Sequence, residues 1–255
     1  MRLTSLLVVT IFVCIFFGLN AMWNVHLVSV GRQAIMRNDG KSLDDAVGGR
    51  TSVATSLLQT AFTEQSVETF RQLLDLGAEV THAKLSTKHG SYPLLLAIVE
   101  YEDSSWTEAA VKPGAQVNAK FGWNQTTPLQ AAICARRPDN AKLLIENGAD
   151  LHHRDKGGSL LRFAIDYGEY ETARAILDNG GESDVNEPGP KTATVVYAMQ
   201  LRFIDGIGLG EKEPGSRAAI AVEQLFEWFN ARNLDWRNAV YDEKSQQWMI
   251  PKLKG

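Results

Sequence analysis

The sequence predicts an all-α solenoid of about five helical repeats, preceded by one N-terminal transmembrane helix. Three observations carry this. An uncharged apolar stretch opens the chain, a Gly-Ala motif recurs at a near-constant step, and Leu and Ala fall at helical spacing before each motif.

The opening stretch, residues 3–23, reads LTSLLVVTIFVCIFFGLNAMW, and Arg2 is the only Lys, Arg, Asp or Glu before Arg32. About twenty apolar residues at about 1.5 Å each span a hydrocarbon layer of roughly 30 Å. Trp23 stands where an interfacial aromatic is expected. A cleaved signal peptide is the rival, with a weak site because Leu19 is not small where a small residue is wanted; a buried helix is the third reading. Arg2 and the amino terminus favour a short cytoplasmic tail, whereas Arg32, Arg37 and Lys41 oppose it. The expected placement is a single-pass inner-membrane protein with the rest of the chain in the periplasm. Residues 24–255 carry 25 basic and 30 acidic residues, so the span and not a basic face would do the anchoring.

The repeat shows in LLDLGAEVTHAK (73–84), VKPGAQVNAK (111–120) and LLIENGADLHHRD (143–155). Gly77, Gly114, Gly148 and Gly180 are separated by 37, 34 and 32 residues. Upstream lie SLLQTA from Ser56, YPLLLA from Tyr92, TTPLQAA ending at Ala132, SLLRFA from Ser159 and ATVVYA from Ala193. In the third unit, Leu129, Ala132 and Ile133, then Ala141, Leu143 and Leu144, mark two apolar helix faces. Pro128 suits a first helical turn, and Gly148 suits a left-handed helix end. Helices this short bury their faces only by stacking on neighbours.

Thr127-Pro128-Leu129-Gln130-Ala131-Ala132 lies close to a TPLHxA signature, and through it residues 51–236 resemble the ankyrin repeat family. Departures are plain. VEYEDSSWTEAAVKPG breaks the second outer helix, Gly181 replaces the usual alanine, and a glycine-rich insert near 203–216 splits the fifth repeat. Residues 24–50 read as a degenerate N-terminal capping repeat, and the tail 237–255 as a short hairpin around Asp242 to Gln246.

Composition and motifs narrow the function. A formal charge of −4 without long basic runs speaks against nucleic acid. With only Cys14 and Cys134, no disulfide framework arises; Cys134 is expected to pack as a small apolar residue. His152-His153-Arg154-Asp155 suggests metal or a catalytic loop. Adjacent histidines diverge, however, and Leu160 stands where a catalytic HRD loop needs Asn, so a solvated turn is expected. The glycines of GIGLGEK match no phosphate loop, and Asp44-Asp45 and Glu102-Asp103 read as solvated charges. Asn124-Gln125-Thr126 is a glycosylation sequon only in a eukaryotic lumen. The short Arg-then-apolar start fits a bacterial anchor. No catalytic set, metal site or cofactor is expected.

The resemblance implies protein binding along finger turns and inner helices, forming a concave face. The fingers should fall near 82–91, 118–126, 152–158 and 184–192. Phe121 and Trp123 are the expected anchors unless Trp123 folds back on its neighbour; Tyr92, Arg154 and Arg162 are secondary contacts. Expected, then, is a membrane-tethered interaction module, in its specific form an immunity protein masking a secreted antibacterial toxin such as a lipase-type effector. The alternatives are a scaffold or assembly factor for an envelope complex, and a metal-dependent enzyme.

Overall fold

The computed structural model describes residues 2–88, 90–111, 115–155, 158–181, 224–225, 227–235, 238–245 and 247–252, with only the backbone at 2–17, 155 and 247–248. The chain divides into two compact units, Met1–Leu95 and Leu96–Gly255.

The first unit opens on α1 (Arg2–Met36), a single helix of 35 residues, about 50 Å long. Among the described residues no helix is long and apolar enough to cross a membrane. The side chains of residues 3–17, most of the expected span, lie outside the described residues. From Gly18 to His26 every side chain except Asn24 is exposed, with Leu19, Met22, Trp23 and Val25 standing out. Helix α1 then docks. Ala34 and Ile35 are buried, and Gly31 lies so close to α3 (Thr51–Thr63) that an added Cβ would stand 2.5 Å from the Leu57 Cδ1. Helix α2 (Gly40–Val47), capped by Asp39, packs on α1, and α4 (Val67–Asp75), capped by Ser66, packs on α3.

The inter-helix turn is the hidden repeat of this fold. The N–H of Asp39 donates to the Ala34 carbonyl, Ser66 to Ala61, Arg137 to Ala132 and Glu169 to Ala164. In each case the preceding residue, Asn38, Gln65, Arg136 or Gly168, takes a left-handed φ between 53° and 73°. The α1–α2 corner is therefore built like the corners of the repeats, as a terminal capping unit would be. A strand pair, β1 (Lys84–Thr87) and β2 (Gly90–Pro93), closes the first unit as an antiparallel hairpin.

From the unit boundary onward run α5 (Leu94–Glu100), α6 (Ser105–Ala110), α7 (Pro128–Cys134), α8 (Pro138–Glu146), α9 (Leu160–Asp166) and α10 (Tyr170–Asp178). Within the second unit α7 packs on α8 and α9, and α8 packs on α6 and α10. The shared core follows the predicted stripes: Leu129, Ala132, Ile133, Ala141 and Leu144 are buried, while Leu143 is half-buried. Trp106 is buried in the short α6, which ends at Ala110; residues 112–114 lie outside the described residues.

Helix ends obey local chemistry. Thr127 caps α7 by accepting the Gln130 N–H at 3.3 Å, with Pro128 at the first position. At the end of α8, Gly148 sits at φ 84°; its N–H reaches the Ile145 carbonyl and that of Ala149 the Leu144 carbonyl, satisfying two orphan acceptors. At Gly181, a Cβ would lie 2.4 Å from Ile176 Cγ2 and 2.9 Å from the Ile176 carbonyl oxygen. The backbone there has closed over the site an alanine would occupy.

Pure all-α architecture is corrected in one respect. Besides β1–β2, the second unit holds hairpins β3 (Arg154–Asp155) with β4 (Gly158–Ser159) and β5 (Val240–Asp242) with β6 (Gln247–Met249). Fingers that must project beyond the helices satisfy their own backbone groups by pairing across the turn. The expected fifth inner helix, the insert 203–216 and the finger at 184–192 lie outside the described residues. Residues 227–231 are helical and bury Trp228 and Phe229, with the Arg232 guanidinium 3.8 Å from the Trp228 ring centroid.

Candidate functional site

The second unit presents two neighbouring fingers whose bases are hydrogen-bonded together. Asn118 precedes the first. Its side-chain N–H donates to the Gly148 carbonyl at 3.0 Å, and its side-chain oxygen accepts the Asp150 N–H at 2.7 Å. One amide thus copies a strand-like pairing between successive repeats. Two residues beyond each anchor point lie Lys120 and His152, both exposed.

The first of these fingers closes on a two-way backbone bridge. Phe121 N–H donates to the Thr126 carbonyl and Thr126 N–H to the Phe121 carbonyl, each at 3.0 Å. Gly122 and Gln125 both adopt left-handed φ, 67° and 56°, and the Gln125 side chain donates to the Gly122 carbonyl at 3.0 Å. These bonds fix a four-residue tip. Trp123 stands on it, 82% exposed, so the fold-back packing does not occur. Phe121 is half-buried at the base of the loop.

The second finger is the β3–β4 hairpin. Arg154 is exposed there and pairs through its backbone with Ser159, which caps α9 by accepting the Arg162 N–H at 3.3 Å. The solvated-turn expectation holds for His152 but not for His153, which is 6% exposed. In the turn that leads into β3, His152 faces outward and His153 is buried. Arg162 is half-buried on α9, and its Nη2 pairs with Asp166 at 2.9 Å. It belongs to the helix and not to the finger tips. Tyr92 lies in the first unit, half-buried on β2 opposite Leu85.

Cysteine 134 departs from expectation: Cys134 is exposed at the end of α7. The Cys134 thiolate charge and its hydrogen bond to the Tyr167 hydroxyl hold the tyrosine above its ordinary pKa. Among the described residues no three His, Cys, Asp or Glu side chains gather as metal ligands would.

Sequence reasoning passed over Asn118 and Lys120. The available signal for Asn118 was its position just before the finger, where a short amide can offer both a donor and an acceptor. Lys120 was visible only as a neighbour of the aromatics.

Stacked helix pairs joined by projecting, mutually braced turns define a protein-binding repeat scaffold. The comparisons give that class its name. A family model described as ankyrin repeats, in three copies, matches residues 95–189, and this segment carries ankyrin repeats. Among relatives, an ankyrin repeat protein of fowlpox virus is 27% identical over 121 residues, 48% of this chain and 20% of that one. PhlB of Serratia liquefaciens is 31% identical over 131 residues, 49% of this chain and 56% of PhlB. An ankyrin repeat protein of Acanthamoeba polyphaga mimivirus is 29% identical over 116 residues, 46% of this chain and 24% of that protein. The chain thus spans about half or less of the length of these curated relatives.

Proposed function

We propose that this chain is a membrane-tethered, non-catalytic protein-binding module of a bacterial envelope, and that its partner is a secreted antibacterial toxin which it masks. The observation that carries the binding reading is Trp123, 82% exposed on a tip fixed by four hydrogen bonds. A large aromatic held outward on a hydrogen-bonded tip is a ready anchor, because the backbone beneath it is ordered before association. Phe121, Arg154 and, with smaller shares, Tyr92 and Arg162 complete the proposed contact set.

The tether reading rests on residues 3–23, and on the exposed apolar side chains Leu19, Met22 and Trp23 ahead of the docked end of α1. A single span with the repeats in the periplasm is part of the same proposal; Arg2 before the stretch favours it, and Arg32, Arg37 and Lys41 after it oppose it. A relative in Serratia liquefaciens fits the bacterial setting. Masking a toxin is one use to which a tether joined to a binding face lends itself.

The test is co-purification of the detergent-solubilised full chain with its native partner, together with deletion of its gene. Recovery of a secreted toxin, and loss of protection on deletion, are expected. Recovery of envelope-complex subunits with undiminished survival would instead favour the assembly-factor reading.

A further inference from the structure

Three of the four expected fingers carry a charge opposite to that of the chain; the fourth, 184–192, holds Asp184 and Glu187 against Lys191. Residues 82–91, 118–126 and 152–158 contain Lys84, Lys88, Lys120, Arg154 and Lys156 against one acidic residue, Asp155, in a protein whose formal charge is −4. Four of the five histidines, His82, His89, His152 and His153, fall in the same three segments. An acidic protein with basic turns has sorted its charge, and sorted charge selects partners and steers their approach.

Within the second unit the sorting is geometric. The Asn118 bridge to Gly148 and Asp150 ties the roots of the two fingers together; one carries exposed Lys120 and Trp123, the next exposed His152 and Arg154. Of the acidic residues near this row, Asp155 follows Arg154 on β3, its side chain outside the described residues, and Asp150 lies at the base. Asp150 is exposed, but its carboxylate accepts the His152 N–H at 3.0 Å. In the first unit, considered by itself, Lys84 and Lys88 are exposed, and Glu79 pairs with His82 at 2.6 Å, again at the finger base.

Resting on the protein-binding reading above, we infer that the paired fingers of the second unit recognise an acidic protein segment: carboxylates answered by Lys120 and Arg154, and an apolar side chain seated against Trp123. Phosphate surfaces are the weaker match. Among the described residues of these two fingers, Lys120 and Arg154 are two exposed cations, few for a polyanion, whose binding grows with the number of phosphates neutralised, and an exposed indole adds selectivity for a protein partner. The arrangement is a short acidic-and-apolar reader whose two fingers are tied at their roots by one asparagine.

The test uses the full chain in detergent and three probes: a peptide of glutamate and leucine, its glutamine-and-leucine counterpart, and vesicles containing phosphatidylserine. The glutamate peptide is expected to bind, to weaken as salt rises, and to lose about tenfold or more in affinity with Lys120→Glu plus Arg154→Glu. Lys142→Glu, the same charge change on exposed α8 surface, is expected to leave binding intact. Equal binding of the glutamine peptide, binding to vesicles alone, binding to no probe, or full affinity in the reversed variant would each overturn the inference. Failure here is separable from failure of the docking reading. If the native partner co-purifies equally with wild type and the reversed variant, docking stands and acidic recognition falls. If the peptide binds as expected but no native partner is recovered, acidic recognition stands and the docking role falls.

Discussion

Asn118 holds the N–H of Asp150 at 2.7 Å from its side-chain oxygen while its amide N–H rests 3.0 Å from the Gly148 carbonyl. This pairing joins one repeat to the next at the root of the fingers. Asn118→Ala removes both bonds, each worth about 0.5–1.5 kcal/mol in a typical protein setting. Asn118 is exposed, so the lower part of that range is expected for each bond. Denaturant titration should show a loss of about 1 kcal/mol, and the Asp150 amide should exchange faster than its neighbours.

A deeper tie links the helices. Asn140, buried in α8, donates to the carbonyls of Val99 at 2.9 Å and Tyr101 at 2.8 Å. Asn140→Ala strands both carbonyls and should destabilise by about 2–3 kcal/mol. Asn140→Asp should do worse, since a buried carboxylate facing two carbonyls repels them or must take up a proton. Equilibrium unfolding of the three proteins gives the order.

Gly181 reverses a family expectation. Restoring the usual alanine would improve most helix-end sequences, yet here the new Cβ meets Ile176 Cγ2 at 2.4 Å and its carbonyl oxygen at 2.9 Å. Backbone cannot move aside as a flexible side chain can. Gly181→Ala should therefore destabilise by about 1–3 kcal/mol, read from the shift of the unfolding midpoint.

Acid should loosen the capping corner. The Ser42 hydroxyl and then the Ser42 N–H hold the Asp39 carboxyl below its ordinary pKa. A depressed folded pKa means that the unfolded chain takes up the proton first as pH falls. The stabilisation is present above the unfolded value of about 3.9 and is lost as pH falls through the folded value. Comparing wild type with Asp39→Ala across this range should show the gap between them closing at low pH. Asp103 and Asp242, lowered chiefly by the Ser105 backbone and the Ser245 hydroxyl respectively, follow the same sign.

How far these features could be read in advance depended on where the chemistry lies. The helix faces through Leu129, Ala132 and Leu144 were legible because burial imposes a period, and Gly148 was legible because its φ of 84° suits glycine. The left-handed corners at Asn38, Gln65 and Arg136 were not, since ordinary side chains occupy them and tertiary packing enforces the turn. Adjacent histidines looked equivalent in the sequence, but the turn leading into β3 leaves His152 exposed and buries His153. Cys134 was misjudged by one position on a helix: Ile133 faces the core and its neighbour does not. For the fingers, Trp123 was visible as a residue type, whereas Arg162 was drawn into an i,i+4 pair with Asp166 that only the helix register reveals.

In the function proposed above, the fingers dock another protein through Trp123. The direct measurement is the affinity of the full-length protein for its co-purified partner, wild type against Trp123→Ala, alongside thermal melting. An 82% exposed side chain contributes little to folding, so melting should stay within about 2 °C. Affinity should fall at least about tenfold, as expected for an aromatic anchor. Unchanged affinity, or a melting point lowered by several degrees, would contradict the claim.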